Sequence, residues 1–217
     1  MGIPSILSGF MDKELIQEIN YEISILIDSG FYCNEEILEI IEEQFIDEDI
    51  PLDVLDNIIL NKYNENISKQ KNWEEKTDFD RIRECFNQIN KENIIAIHNA
   101  GYTIDEGVHD AFEVFHHLKT KNRSPEGFCF YNFQDIEVAI NYNLLNIAFG
   151  DFTDNEEKSL DIGKKIANIF KVNGFSVKWN ENINTRIEIN PFKWEKSFDN
   201  QEYEMEGAFN SYLKNYK

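Results

Sequence analysis

Short apolar runs that alternate with helical segments constrain the fold of this chain more than any other feature. The runs are 94–97, 128–131 and 144–149, and the helical segments between them are 105–119 and 133–141. Each run is short enough to be a strand, and strands that alternate with helices indicate a partly parallel sheet covered by helices. A helix over 154–172 follows, and the alternating segments 175–179 and 186–189 then predict a closing β-hairpin.

Before the first apolar run, the pattern is helical throughout. Apolar residues recur at helical spacing over 12–28, over a second segment capped by Asn34, and over a third segment after Pro51. The polar stretch 64–76 predicts a connector, and a fourth helix is expected over 78–90.

Two regions follow from these patterns. Residues 1–72 are predicted to form an acidic helical hairpin or bundle, and residues 73–217 a mixed, partly parallel sheet covered by helices, with a C-terminal β-hairpin. The fold class is therefore α+β or α/β, and we expect the two regions to pack together as one unit. The polar tail after Pro191 predicts either a last helix over 203–213 or a frayed end.

Negative charge is concentrated in the helical region. The chain has a formal net charge of -20, and its first 75 residues hold 18 acids against 4 Lys or Arg. Ten acids and no base lie between Asn34 and Asp56. The candidate partner-binding residues are Glu35, Glu36, Glu39, Glu42 and Glu43. Such a field repels nucleic acid and anionic membranes and favours a cationic partner, although a helix face that is only solvated has the same pattern.

Cysteine use and the start of the chain make the cytoplasm the expected compartment. Cys33, Cys85 and Cys129 are odd in number and widely spaced, which suits a reducing environment. Residues 1–11 have no basic segment and only a short apolar stretch, so they do not resemble a signal peptide. No segment reaches the roughly 18 uninterrupted apolar residues of a membrane helix.

The motifs that identify cofactor and metal sites are absent or incomplete. No glycine-rich nucleotide loop occurs, and the acidic segment that begins at Asp151 lacks the glycine and glutamate of a calcium loop. All four histidines fall between His98 and His117, and a zinc ion shared by His109 and His116 would require their helix to bend or His98 to contribute a ligand. Cys129 could be a nucleophile with His116 or His117 as its base, but its apolar neighbours Phe128 and Phe130 are typical of a buried, inert thiol. We therefore predict neither a cofactor nor a metal.

Polar side chains follow each apolar run, at the point where a strand would end. If the three runs are parallel strands, their carboxyl ends meet at one edge of the sheet, where open α/β sheets bind ligands. His98 could act there as acid or base, with Asp135 to orient it. The other candidate ligand-binding residues at this edge are Asn99, Tyr102, Thr103, Gln134 and Asp151. The competing interpretation is that these residues are loop polars and helix caps, as Asn132 would be for the helix over 133–141.

Several short motifs are distinctive enough to compare with known families. They are TDFDR at 77–81, GFCFY at 127–131, QD at 134–135, AFG at 148–150, TRI at 185–187 and PFKW at 191–194. Through these motifs, with Trp73 before them, the chain resembles a bacterial family of uncharacterised proteins, a domain of unknown function. The resemblance implies one integrated fold over roughly 12–196 and no activity. It marks Gln134, Asp135 and Arg186 as positions of interest, with Arg186 as a further ligand-binding candidate.

Two classes of function fit these features. The first is a protein-binding module, such as an inhibitor or immunity-type protein that neutralises a basic toxin or nuclease, with the acidic helices as its docking surface. The alternative is a small-molecule enzyme or ligand-binding domain that uses the sheet edge around His98, Gln134 and Asp135. A purely structural or regulatory interaction module is also compatible with the sequence. The lack of a catalytic signature favours binding, and no basic stripe exists to neutralise the phosphates of a nucleic acid.

Overall fold

The computed structural model describes residues 13–216, which form eight helices and one five-stranded mixed sheet. The α+β fold predicted from the sequence is therefore confirmed. The chain divides into two compact units, which are residues 13–73 with 197–200 and residues 74–196 with 201–216.

The first unit contains three helices that pack on one another. They are α1 (Lys13–Ser29), α2 (Asn34–Gln44) and α3 (Leu52–Gln70). Each helix turns one apolar stripe inward, because removing that stripe from water is the main contribution to its stability. The most deeply buried residues of this core are Ile19, Ile23, Ile37, Ile41, Leu55 and Ile59.

Two details of this unit correct the sequence-based prediction. Cys33, not Asn34, is the N-cap of α2, because the Glu36 carboxylate accepts the Cys33 backbone N–H at 2.7 Å. The segment predicted as a connector is largely the last turns of α3, because Asn66 is buried there and donates to Asp28 Oδ1 of α1 at 2.8 Å. These turns bury few apolar side chains, so their helical periodicity is weak in the sequence.

The second unit is built on the five strands. They are β1 (Ile94–Ile97), β2 (Gly127–Phe130), β3 (Leu145–Asp151), β4 (Val177–Lys178) and β5 (Ile187–Ile189). Their order across the sheet is β1-β2-β3-β5-β4. β1 and β2 are parallel, and β4 and β5 form the predicted C-terminal hairpin.

The strand β3 corrects the expectation that all three apolar runs are parallel. It runs antiparallel to β2, so that Phe130 at the end of β2 pairs with Ala148 and Gly127 at its start pairs with Asp151. The carboxyl end of β3 therefore lies at the opposite edge of the sheet from the carboxyl ends of β1 and β2. Strand direction could not be inferred from the runs, because an apolar run has the same pattern in both directions.

Helices cover both faces of this sheet. They are α4 (Asp78–Lys91), α5 (Ile104–Thr120), α6 (Phe133–Tyr142), α7 (Glu156–Val172) and α8 (Met205–Asn215). On one face, Phe128 packs in a core with Leu118 of α5 and Tyr212 of α8. Since successive residues of a strand point to opposite faces, Tyr131 lies on the other face, where its ring meets Phe86 of α4.

The helix α8 covers the free edge of β1. Asn90 of α4 accepts the Ala96 backbone N–H at 3.1 Å and donates to Ser211 Oγ of α8 at 3.1 Å. A backbone amide at a strand edge needs a partner when it is buried, and the Asn90 side chain supplies it. Of the two alternatives for the C-terminal tail, the structure thus shows the helix.

The structure tests only one of the two sequence-based expectations about targeting, the one about a membrane-spanning helix. Residues 1–11, for which the sequence predicts no signal peptide, lie outside the described part of the chain. In residues 13–216, no helix is both long enough and apolar enough to cross a membrane.

Candidate functional site

A block of negative charge lies on α2, on the loop after it and on the start of α3. We call this block the acidic helix surface, and its ten exposed carboxylates are those of Glu35, Glu36, Glu39, Glu42, Glu43, Asp47, Glu48, Asp49, Asp53 and Asp56. The helix α2 buries Ile37 and Ile41 in the core of its unit, which leaves its acidic residues on the solvent side. The local amphipathic pattern thus determines where the charge lies.

Two observations characterise this surface. Within residues 13–216, none of the ten carboxylates forms an ion pair, whereas Asp28 of the same unit is paired with Lys69 at 2.7 Å. In addition, Ile46 and Leu52 lie among these acids with 78% and 52% of their surface exposed. Both apolar side chains belong to the same short segment as the ten carboxylates.

The carboxylates of this surface differ in how far they are engaged locally. Glu36 caps α2 through the Cys33 backbone N–H. Hydrogen bonds from its own backbone N–H and from the Cys33 side chain lower the pKa of Glu35. Glu39, Glu42 and Glu43 make no ion pair or side-chain hydrogen bond in the described part of the chain, and the same holds for the five acids from Asp47 to Asp56.

The loops after β1 and β2 lie side by side, as expected for parallel strands. The Phe133 backbone N–H donates to the Gly101 carbonyl at 3.0 Å, and the Tyr102 ring stacks on Phe133 with 6.0 Å between centroids. Thr103 is the N-cap of α5, where its side chain accepts a backbone N–H of the first turn. Thr103 therefore has the capping role of the competing interpretation, and Tyr102 and Gln134 remain as exposed residues of this edge.

Asp135 lies in the second unit with the arginine that the family resemblance singled out. Arg186 Nη1 donates to Asp135 Oδ1 at 2.6 Å, and the Asn132 backbone N–H donates to Asp135 Oδ2 at 3.3 Å. Burial raises the pKa of Asp135 above its ordinary value, against the lowering effects of Arg186, Asn132 and Asn146. The carboxylate is thus committed to the N-terminus of α6 and to an ion pair, which is a structural role.

Asp151 and Asn99 are occupied as well. Asp151, at the far edge of the sheet, accepts from Thr153 at 2.6 Å and from Ser159 Oγ at 2.8 Å. Burial alone would raise its pKa, but the hydrogen bonds from Thr153, Ser159 and Asn155 lower it. Asn99 is buried after β1 and donates from Nδ2 to Glu204 Oε1 at 2.8 Å.

His98 lies in the wall of a cavity of about 390 Å³, which we call the α4–α8 cavity. Its walls come from α4, β1, α8 and the loop before α8, and the charged and amide side chains in them are Arg83, Asn87, Gln201, Glu202, Asn210 and Lys214. Neither Gln134 nor Asp135 lines this cavity. The constellation of His98, Gln134 and Asp135 predicted from the sequence is therefore not assembled in it.

The His98 ring is held firmly and is only 8% exposed. Its Nδ1 is 2.7 Å from the Tyr131 hydroxyl, and its face stacks on Phe86 with 4.3 Å between centroids. Burial, and after it the charges of Lys196 and Arg83, lower the pKa of His98 to about 3. At neutral pH the imidazole is uncharged, and a group with this pKa is a poor proton carrier there.

Other reactive side chains of the second unit are inert or dispersed. Burial raises the pKa of the Cys129 thiol well above its ordinary value and that of Cys85 to about 12, so neither is a ready nucleophile. His109, His116 and His117 lie exposed on α5. Within residues 13–216, no three His, Cys, Asp or Glu side chains are grouped closely enough to hold a metal ion.

Comparison with known proteins gives one match. A family model described as a domain of unknown function (DUF6891) matches residues 12–198. No curated protein and no solved structure matches the chain.

Proposed function

Because this chain belongs to the DUF6891 family, whose description names no activity, we propose its function from its own geometry. The first unit is a protein-binding module that docks a basic partner through the acidic helix surface. An inhibitor of a basic toxin or nuclease is the specific form of this function that fits the charge. The observation that carries the proposal is a group of ten exposed carboxylates that form no ion pair within residues 13–216 and that share one short segment with two exposed apolar side chains.

The absence of ion pairs matters because like charges in one region repel one another. Holding ten carboxylates close together without a compensating Lys or Arg lowers the stability of the folded unit. A basic partner would remove this repulsion when it binds. Steering by the same field would also raise its association rate, by 10-fold to about 1,000-fold at low ionic strength.

The two exposed apolar side chains would supply the binding affinity that the charges alone do not. Ion pairs at the rim of an interface contribute little affinity, whereas buried apolar residues at its centre contribute most of it. Ile46 and Leu52 are placed for that role, since acidic residues flank both of them along the chain. The proposed interface thus has an apolar centre and an acidic rim.

The test is capture of a partner from a lysate of the native host by three forms of the full chain. The forms are the unchanged protein, a triple variant with Glu39, Glu42 and Glu43 replaced by Lys, and a control triple variant. The control replaces Glu75, Glu92 and Glu113 by Lys, which are exposed residues of the second unit, so both triples change the net charge equally.

We expect the unchanged protein and the control triple to capture the same basic protein in stoichiometric amounts. The α2 triple should lose it, and high salt should release it from all forms. Capture that is equal for both triples would contradict the proposal, as would the absence of any basic protein from every form. A further variant, Ile46→Asp, should weaken capture while it makes the surface still more acidic, which separates the apolar centre from the charge.

The alternative enzymatic function lacks the observation that would support it. It requires His98, Gln134 and Asp135 to converge, and the α4–α8 cavity brings in only the first of them. The ligand-binding part of that alternative does not require this convergence.

A further inference from the structure

We draw no further inference here: the strongest candidate, the α4–α8 cavity of the second unit, is lined by charges of both signs, and because its Arg83 is already paired with Asp80 at 3.0 Å, nothing in the structure shows which ligand would fill it.

Discussion

Burial determines the chemistry of His98. The sequence suggested an acid or base because a free imidazole titrates near neutral pH. It could not show that the ring stacks on Phe86 and lies 5.5 Å from the centroids of Tyr131 and Tyr203. These neighbours bury the ring and favour its uncharged form, so His98 is a poor proton carrier near neutral pH.

The low pKa of His98 predicts how stability depends on pH. Its folded pKa of about 3 lies below the ordinary value of 6.5, so between these two values the unfolded chain binds a proton that the folded chain does not. The free energy of unfolding should therefore fall as the pH is lowered below about 6.5, with a contribution of about 1.4 kcal/mol per pH unit. In His98→Phe this contribution disappears, and urea unfolding between pH 7 and pH 4.5 should show a shallower decline.

Tyr131→Phe is the control for this prediction. It removes the same hydrogen bond but leaves His98 buried, so it should lower the free energy of unfolding at pH 7 and keep the steep decline of the unchanged protein. Equal pH dependence of His98→Phe and the unchanged protein would show that His98 is not the group responsible.

At the scale of the element, helix ends were easier to predict than strand directions. Asn132 was predicted to cap a helix, and its side chain accepts the Asp135 N–H at 3.0 Å. A helix cap depends on only three or four consecutive residues, so the sequence predicts it directly. The direction of β3 depends instead on how α6 brings the chain back to the sheet, and no local pattern records that path. Asp151 was consequently assigned to the wrong edge.

The helix α2 gives a prediction of its own. Its last turn has no basic residue, and Glu42 and Glu43 place negative charge at the negative end of the helix dipole. The double change Glu42→Lys and Glu43→Lys should raise the free energy of unfolding by about 0.5–1 kcal/mol, measured by urea denaturation at low ionic strength. Such an increase would mean that Glu42 and Glu43 lower the stability of the fold, as expected if they serve the proposed docking function.

Glu35→Lys is the matched opposite change, because Glu35 lies in the first turn of α2. A positive charge there opposes the dipole, so this variant should be less stable than the unchanged protein. If both variants shifted stability in the same direction, overall charge and not the dipole would explain the result.

For the whole molecule, the acidic helix surface and the α4–α8 cavity differ in how far a sequence can reveal them. The acidic helix surface is local, since its ten carboxylates fall within one short segment, and amphipathic spacing shows that they face outward. The α4–α8 cavity is not local. Its walls join residues such as Asn87 and Ser211, which are hydrogen-bonded and 124 positions apart. The sequence predicts the helix that carries Ser211 only as one of two alternatives.

The division of the chain into two compact units also depends on contacts between residues that are distant in the sequence. Residues 197–200 belong to the first compact unit although residues 74–196 and 201–216 make up the second. A return of this kind depends on tertiary packing and has no signature in composition or spacing. The assignment of residues 197–200 to the first unit could therefore not be predicted from the sequence.

The most direct measurement of the docking function is the association rate constant of the captured basic partner, by stopped-flow mixing at about 20 mM and at 500 mM salt. The salt range spans Debye lengths from about 20 Å to about 4 Å, so it separates steered from unsteered association. At low salt, the triple Glu39, Glu42 and Glu43 to Lys should associate at least tenfold more slowly than the control triple of the second unit, and at high salt the two should converge. Equal rate constants of the two triples at low salt would contradict a docking role for the acidic helix surface.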